Sequence, residues 1–212
     1  MNKLIFITRI YILIAVALTI SDQFAEARER EDYIRISAGT APGIDRVKFS
    51  GAGGSESVST DPNVGFRFDA LGVSRFPQEG FDWVLGGGLM IATHSGEDDF
   101  GDEADLVAFA GLIQGGIALR FSDAVRIELT PELAGGFARQ DITGFSAGSG
   151  PYLMYGFRTG LHYQVDRSFE FGLDLGYSGF ISPGEVRTGF GDVDVDFTGH
   201  GPRVAGTFAF RF

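Results

Sequence analysis

Cysteine is absent, histidine occurs three times, and charged residues fill only 21% of the 212 positions. Without cysteine there is no disulfide framework, no thiolate metal site and no cysteine nucleophile. Basic residues are scarce as well: 17 Lys and Arg stand against 28 Asp and Glu, a net charge of −11. A phosphate-binding surface needs clustered Lys and Arg, so this balance argues against nucleic acid as a partner. Long apolar runs are also missing. Residues 10–20 (IYILIAVALTI) form a stretch of eleven, short of the ~20 that a spanning helix takes, and no later segment offers 18. What the chain has instead is 32 Gly and 21 Phe. That glycine share is about twice the usual ~7%, and the aromatic content excludes a disordered acidic tail.

Lys3 and Arg9, the short apolar stretch and Ala25-Glu26-Ala27 make the charged start, core and small-residue exit of a secretory signal peptide. The expected division is a signal peptide over 1–27 and an exported domain over 28–212.

Beyond it, apolar residues alternate at a period of two, the mark of strands. Phe169, Phe171, Leu173, Leu175 and Tyr177 oppose Glu170, Gly172, Asp174 and Gly176. Val125, Ile127, Leu129 and Leu133 oppose Arg126, Glu128, Thr130 and Glu132. Tyr155, Phe157, Leu161 and Tyr163 oppose Gly156, Arg158, Gly160 and His162, and Val204, Phe208, Phe210 and Phe212 oppose Arg203, Thr207 and Arg211. Looser alternation begins at Ile34, Val64, Trp83 and Val107. Eight strands result. Three connections are short (75–80, 121–124 and 165–168) and four are long (42–61, 94–105, 139–150 and 182–199). The predicted fold class is all-β, an eight-stranded antiparallel up-and-down barrel with no helix after the signal peptide.

Alternation alone leaves open which face points inward. A soluble carrier hides its Phe face; a membrane barrel turns it to lipid and keeps a polar interior. Three features favour the membrane. Aromatic residues flank the short turns and the chain end (Phe76, Phe81, Trp83, Phe121, Tyr163, Phe169 and Phe212), where an interfacial girdle sits. The other face is rich in Gly and Ala, which crowd well inside a narrow cylinder. Its charges come in both signs, so they can pair across a lumen as buried charges must. Arg35, Arg67, Arg120, Arg126, Arg158, Arg203 and Arg211 stand there against Asp69, Glu128, Glu132, Glu170 and Asp174. His162 joins them as a lumen residue near Arg158 and Gln164.

With a signal peptide, eight amphipathic strands and a terminal aromatic strand, the chain resembles the small outer-membrane barrels of Gram-negative bacteria, such as OmpX and the transmembrane domain of OmpA. The resemblance implies that Phe208, Phe210 and Phe212 are an assembly signal read by the barrel-assembly machinery. It also implies outer-membrane lipid and lipopolysaccharide as surroundings and a monomer; with only Arg28 to Asp32 before the first strand and nothing after Phe212, no attached periplasmic domain is expected.

Enzymatic signals are weak. Gly144-Phe145-Ser146-Ala147-Gly148 fits the nucleophile elbow, but that chemistry needs a strand-to-helix turn and a His base, and here it lies in a Gly/Ser connection. Outer-membrane lipid A deacylases carry Ser two residues after His; positions 96, 164 and 202 are Gly, Gln and Pro. His94 and Ser95 are adjacent and would point to opposite faces. The acids of 96–105 and Asp192, Asp194 and Asp196 read as a solvated anionic surface. The D-x-D-x-D run fails the calcium-loop pattern at Phe197 and Arg203. No catalytic residue, cofactor or metal ligand is expected. The expected function is a non-enzymatic outer-membrane protein that supports the envelope and presents acidic loops, with Phe100 and Phe190 as contact points, to a host or phage ligand. The alternatives are a narrow solute or ion channel and, further off, a lipid A-modifying enzyme.

Overall fold

Period-two alternation becomes strand almost without interruption. The computed structural model describes residues 30–51, 54–98, 101–188 and 191–212; the expected signal peptide lies outside them, as do Phe100 and Phe190. Among the described residues there are ten strands and no helix: β1 Glu31–Ala41, β2 Arg46–Gly51, β3 Gly54–Ser59, β4 Asp61–Pro77, β5 Phe81–Glu97, β6 Glu103–Arg120, β7 Val125–Ile142, β8 Ser146–Gln164, β9 Phe169–Thr188 and β10 Gly191–Arg211. Eight of them form the wall. β1 pairs with β4, each later strand from β4 to β10 pairs with the next, and β1 closes the ring on β10, with Ile36 opposite Phe208. Every neighbouring pair is antiparallel, so the barrel is up-and-down, as expected.

The lower part of the wall faces lipid. Ile34, Leu89, Phe109, Phe157, Leu161, Phe171, Leu173, Leu175, Phe208 and Phe210 all point outward and are exposed, while Arg35, Arg67, Arg158, Glu128 and Asp174 are buried inside. A soluble protein does not distribute its residues this way. Trp83, Phe121, Tyr163 and Phe212 ring the short-turn end. Phe76 stands opposite Trp83 on that face and is only 5% exposed.

The connections differ from expectation at the other end. Three of the four long segments are mostly strand: β5 runs to Glu97 before β6 begins at Glu103, β7 to Ile142 before β8 begins at Ser146, and β9 to Thr188 before β10 begins at Gly191. With 17 to 21 residues, β4 to β10 are about twice the ~9–11 needed to cross a bilayer. The physical reason is a reversal of polarity along the same faces. Above the lipid band the outward positions are Thr93, Ser95, Glu97, Glu103, Asp105, Arg139, Asp141 and Glu185, while the inward ones are Leu106, Ala138, Ile142, Tyr152, Phe180, Val186, Val195 and Phe197. Water now lies outside, so the apolar residues go in, and a run rich in acid and glycine remains strand.

The fourth segment holds an insertion. β2 and β3 form a hairpin that adds to the upper part of β10, with Phe49 opposite Val195. Between β1 and β2 the chain leaves the wall and turns inward. Ile44 is fully buried; its N–H donates to Ser95 O on β5, and Asp45 N–H donates to Thr198 O on β10, both at 2.9 Å. Thr60 ties the segment down through Oγ1 to Ile44 O at 2.5 Å and through its N–H to Asp45 O.

This inward segment needs a neighbour without a side chain. A Cβ at Gly199 would lie 2.0 Å from Gly43 O and 2.5 Å from the Phe180 ring, whereas a Cβ at Gly206, on the lipid face, meets nothing within 4 Å. Overpacking of this kind costs about 1–3 kcal/mol or more. Gly199→Ala should therefore lower the unfolding temperature measured as the boiled-versus-unboiled gel shift, and Gly206→Ala should leave it unchanged.

Candidate functional site

The interior of the barrel is the site to examine, because alternation aims every second residue of eight strands into it. It has four storeys. Nearest the short turns is an open bowl of about 520 Å³ lined by Glu31, Asp82, Arg120, Asp123, Arg126 and Gln164. Arg120 pairs with Asp82 here, and Arg211 donates to Glu31 at 2.9 Å.

Above it lies a lower ion-pair group. Glu128 Oε1 accepts from Arg35 Nη2 and Arg75 Nη2, each at 2.8 Å. Glu170 accepts from both Nη atoms of Arg75, at 2.6 and 2.8 Å, and from Arg126 Nη1 at 3.0 Å. Asp174 Oδ2 accepts from Arg158 Nη1 at 2.8 Å and from Thr207 Oγ1 at 2.7 Å, while Arg158 Nε donates to Thr130 Oγ1. The His162 ring lies between Glu170 and Asp174, Nδ1 at 3.1 Å from one and Nε2 at 3.2 Å from the other.

An upper group closes on itself. Arg67 forks onto Glu132 at 2.7 and 3.0 Å and donates through Nε to Asp69 at 2.7 Å. Arg203 reaches Asp69 at 2.8 Å and Glu132 at 3.3 Å. Above that the lumen turns apolar: His94 packs on Phe180, donates through Nδ1 to Pro42 O (2.7 Å) and meets Tyr152 Oη through Nε2 (2.9 Å), with Leu106, Val195 and Phe197 beyond. Phe49 of β2 stacks on Phe145 of the β7–β8 turn at 5.8 Å.

Large inward side chains fit because their cross-strand neighbours are small. Glu128 stands opposite Gly160, Glu132 opposite Gly156, His162 opposite Gly172 and Arg158 opposite Gly176. These four glycines leave the space that the lumen side chains occupy.

Of the lumen residues anticipated from the sequence, Arg35, Arg67, Asp69, Arg126, Glu128, Glu132, Arg158, His162, Glu170 and Asp174 are buried in these two groups, and Arg120 sits at the rim. Arg211 is also a rim residue. Arg75 was not anticipated, because Pro77 and Gly80 place it in a connection; it is fully buried and its guanidinium lies 4.4 Å over the Tyr33 ring. Asp82 escaped for the same reason. His94 stands on β5 facing inward rather than in a loop, and Gly144–Gly148 spans a turn and the first residues of β8.

Glu128, His162 and Glu170 present ligand atoms within 4.8 Å of one another. A divalent cation there would compete with Arg35, Arg75 and Arg126 for the same carboxylates, so the trio fits an ion-pair network better than a metal centre. On the outside, above the lipid, Asp105 stands opposite Asp141 and Glu97 opposite Glu103. Partial burial, with Glu103 and Asp141 beside it, holds the Asp105 carboxyl above its ordinary range.

Fold and lumen define the class: a closed β-barrel with a lipid-facing wall, whose strand pairing leaves no open edge in lipid. No protein-family model matches the sequence, and no curated protein does. Solved structures similar to it include the attachment invasion locus protein Ail of Yersinia pestis in complex with the heparin analogue sucrose octasulfate (16% identity, 87% of this chain and 100% of that one, TM-score 0.45). Neisserial surface protein A is another (16%, 87% and 100%, 0.46), as is the outer membrane protein OprG from Pseudomonas aeruginosa (13%, 88% and 98%, 0.46). The class rests on this chain's own pairing and burial.

Removing one partner of a buried pair costs about 3–5 kcal/mol, against about 0–1 kcal/mol for an exposed one. Glu128→Gln, which leaves Arg35 without its carboxylate and takes one of the two that Arg75 holds, should therefore lower the unfolding temperature strongly. Arg139→Gln, which breaks an exposed pair with Asp141, should leave it within a degree or two of wild type in the same thermal melt.

Proposed function

We propose that the protein is a non-enzymatic, non-conducting barrel that supports the envelope and carries a rigid acidic crown above the membrane for surface interaction. The observation behind this reading is the filled lumen. Two ion-pair groups, an apolar upper storey and the inward segment at Ile44 follow one another along the axis, and an eight-stranded barrel has room only for side chains. The wall fixes the crown, and the crown meets the ligand. Because the upper strands are paired almost to their tips, recognition falls to a stiff surface bearing Glu97, Glu103, Asp105, Asp141, Glu185 and Asp194 rather than to long loops. Its charge favours cationic partners on a host, a phage or a neighbouring cell. The protein works as a monomer among lipopolysaccharide and outer-membrane lipid. The outward aromatic stripe Phe208, Phe210 and Phe212 is what the barrel-assembly machinery reads.

The competing reading is a narrow channel, and planar-bilayer recording separates the two. Purified, heat-shiftable barrel should give no unitary conductance above the bare membrane. A steady, charge-selective conductance lost in Glu132→Gln would favour the channel.

A further inference from the structure

We propose that His94 is an acid-sensitive latch: its neutral imidazole holds the inward segment 42–45 in the mouth of the barrel, and protonation releases that segment. The first observation is convergence. The segment leaves the wall between β1 and β2, and its ties come from elements far away in sequence. Ile44 N–H donates to Ser95 O and Asp45 N–H to Thr198 O. From outside the wall, His200 N–H donates to Asp45 Oδ2 at 2.8 Å, and the His200 ring pairs with the same carboxylate. From inside, His94 Nδ1 donates to Pro42 O at 2.7 Å. Two of the protein's three histidines thus clamp one short stretch of chain.

The second is the chemistry of the inner clamp. A carbonyl only accepts, so the Nδ1 proton is committed to Pro42 O. Nε2 of the neutral ring is left to accept from Tyr152 Oη at 2.9 Å. His94 and Tyr152 are each only 2% exposed, and the His94 ring lies 3.9 Å from the Phe180 ring. A second proton on the imidazole turns Nε2 into a donor facing the Tyr152 hydroxyl. That hydroxyl must then turn its own proton away into apolar surroundings, which is costly.

The third is the environment of the ring. Leu106 stands opposite His94 on β6, Phe180 flanks it from β9, Tyr152 from β8 and Pro42 from the inward segment. From β4 the charged group acting on it is Arg67, a cation. Asp69 and Glu132, the carboxylates that act on Tyr152, are engaged by Arg67 and Arg203. His94 lies above the lipid band, between Thr93 and Ser95. Burial pushes its imidazole down to about 4; the bond to Pro42 O acts against this and Arg67 with it. Once the segment lifts away, the ring returns to an ordinary value near ~6.5. The closed arrangement is therefore at full strength above that value and loses ground as pH falls toward the lower one. The outer clamp responds in the opposite sense, because a protonated His200 pairs better with Asp45, but it is exposed and correspondingly weak.

Hydrogen exchange read by NMR on the whole barrel in detergent micelles tests this, with each amide corrected for its own pH-dependent intrinsic rate. Protection of the Ile44 and Asp45 amides should fall on the order of a hundredfold between about pH 7.5 and 4.5, while the Leu173 amide in the lipid band keeps its protection. The fall should disappear in His94→Gln and survive in His200→Gln. Unchanged protection of Ile44 and Asp45 in the wild type overturns the proposal without reliance on a variant that folds, as does a fall shared equally by Leu173. A fall that persists in His94→Gln, or vanishes in His200→Gln, overturns it by assigning the response to another group. In the same sample the His94 ring signals should titrate well below those of an ordinary histidine, and an unshifted titration contradicts the latch.

Discussion

Within a bilayer no water is available to a backbone N–H or C=O, and every other feature of this barrel follows from that constraint. A sheet in lipid must close, and this one does, through β1 and β10. Closure at eight strands leaves a lumen just wide enough for side chains. Period-two alternation then sends Phe, Leu and Ile to the acyl chains and the remaining residues inward. Charges placed inside have no exit to solvent over most of their length, so they meet each other. The pairing of Arg67 with Asp69 and Glu132, and of Arg75 with Glu128 and Glu170, is the consequence.

Pairing of this kind stabilises little by itself, since desolvation offsets the Coulomb attraction. Its value here lies in register. A shift of one residue between neighbouring strands would turn Glu128 or Arg158 to lipid and Phe157 to the lumen. It would also take Gly160, Gly156, Gly172 and Gly176 away from the large side chains whose space they provide. The lumen therefore specifies which strand positions face each other, and the wall's hydrogen bonds hold that choice.

The lower half of the barrel was legible from sequence because lipid and lumen differ sharply: Phe171-Gly172-Leu173-Asp174-Leu175 admits one reading. The upper half was not. Val193-Asp194-Val195-Asp196-Phe197 alternates just as regularly, but with acids outward, and a segment dense in acid and glycine resembles a loop. The signal was the persistence of period two through Glu103-Ala104-Asp105-Leu106 after the outer face had become polar. Arg75 and Asp82 were hidden by turn residues beside them. Nothing local in 42–45 announces an inward detour. It depends on Ser95, Thr198 and Gly199, which lie far away in sequence.

The account rests on a wall whose outer face is lipid-covered below and wet above. The absence of cysteine allows this to be tested directly by single-cysteine labelling of intact cells with a membrane-impermeant maleimide. Cysteines placed at Glu97 and Glu185 should label, while those at Leu173 and Phe109, equally outward but lower, should not react until the membrane is dissolved and the barrel unfolded. Rapid labelling at Leu173 in intact cells would contradict the account and return the Phe face to the interior of a soluble barrel.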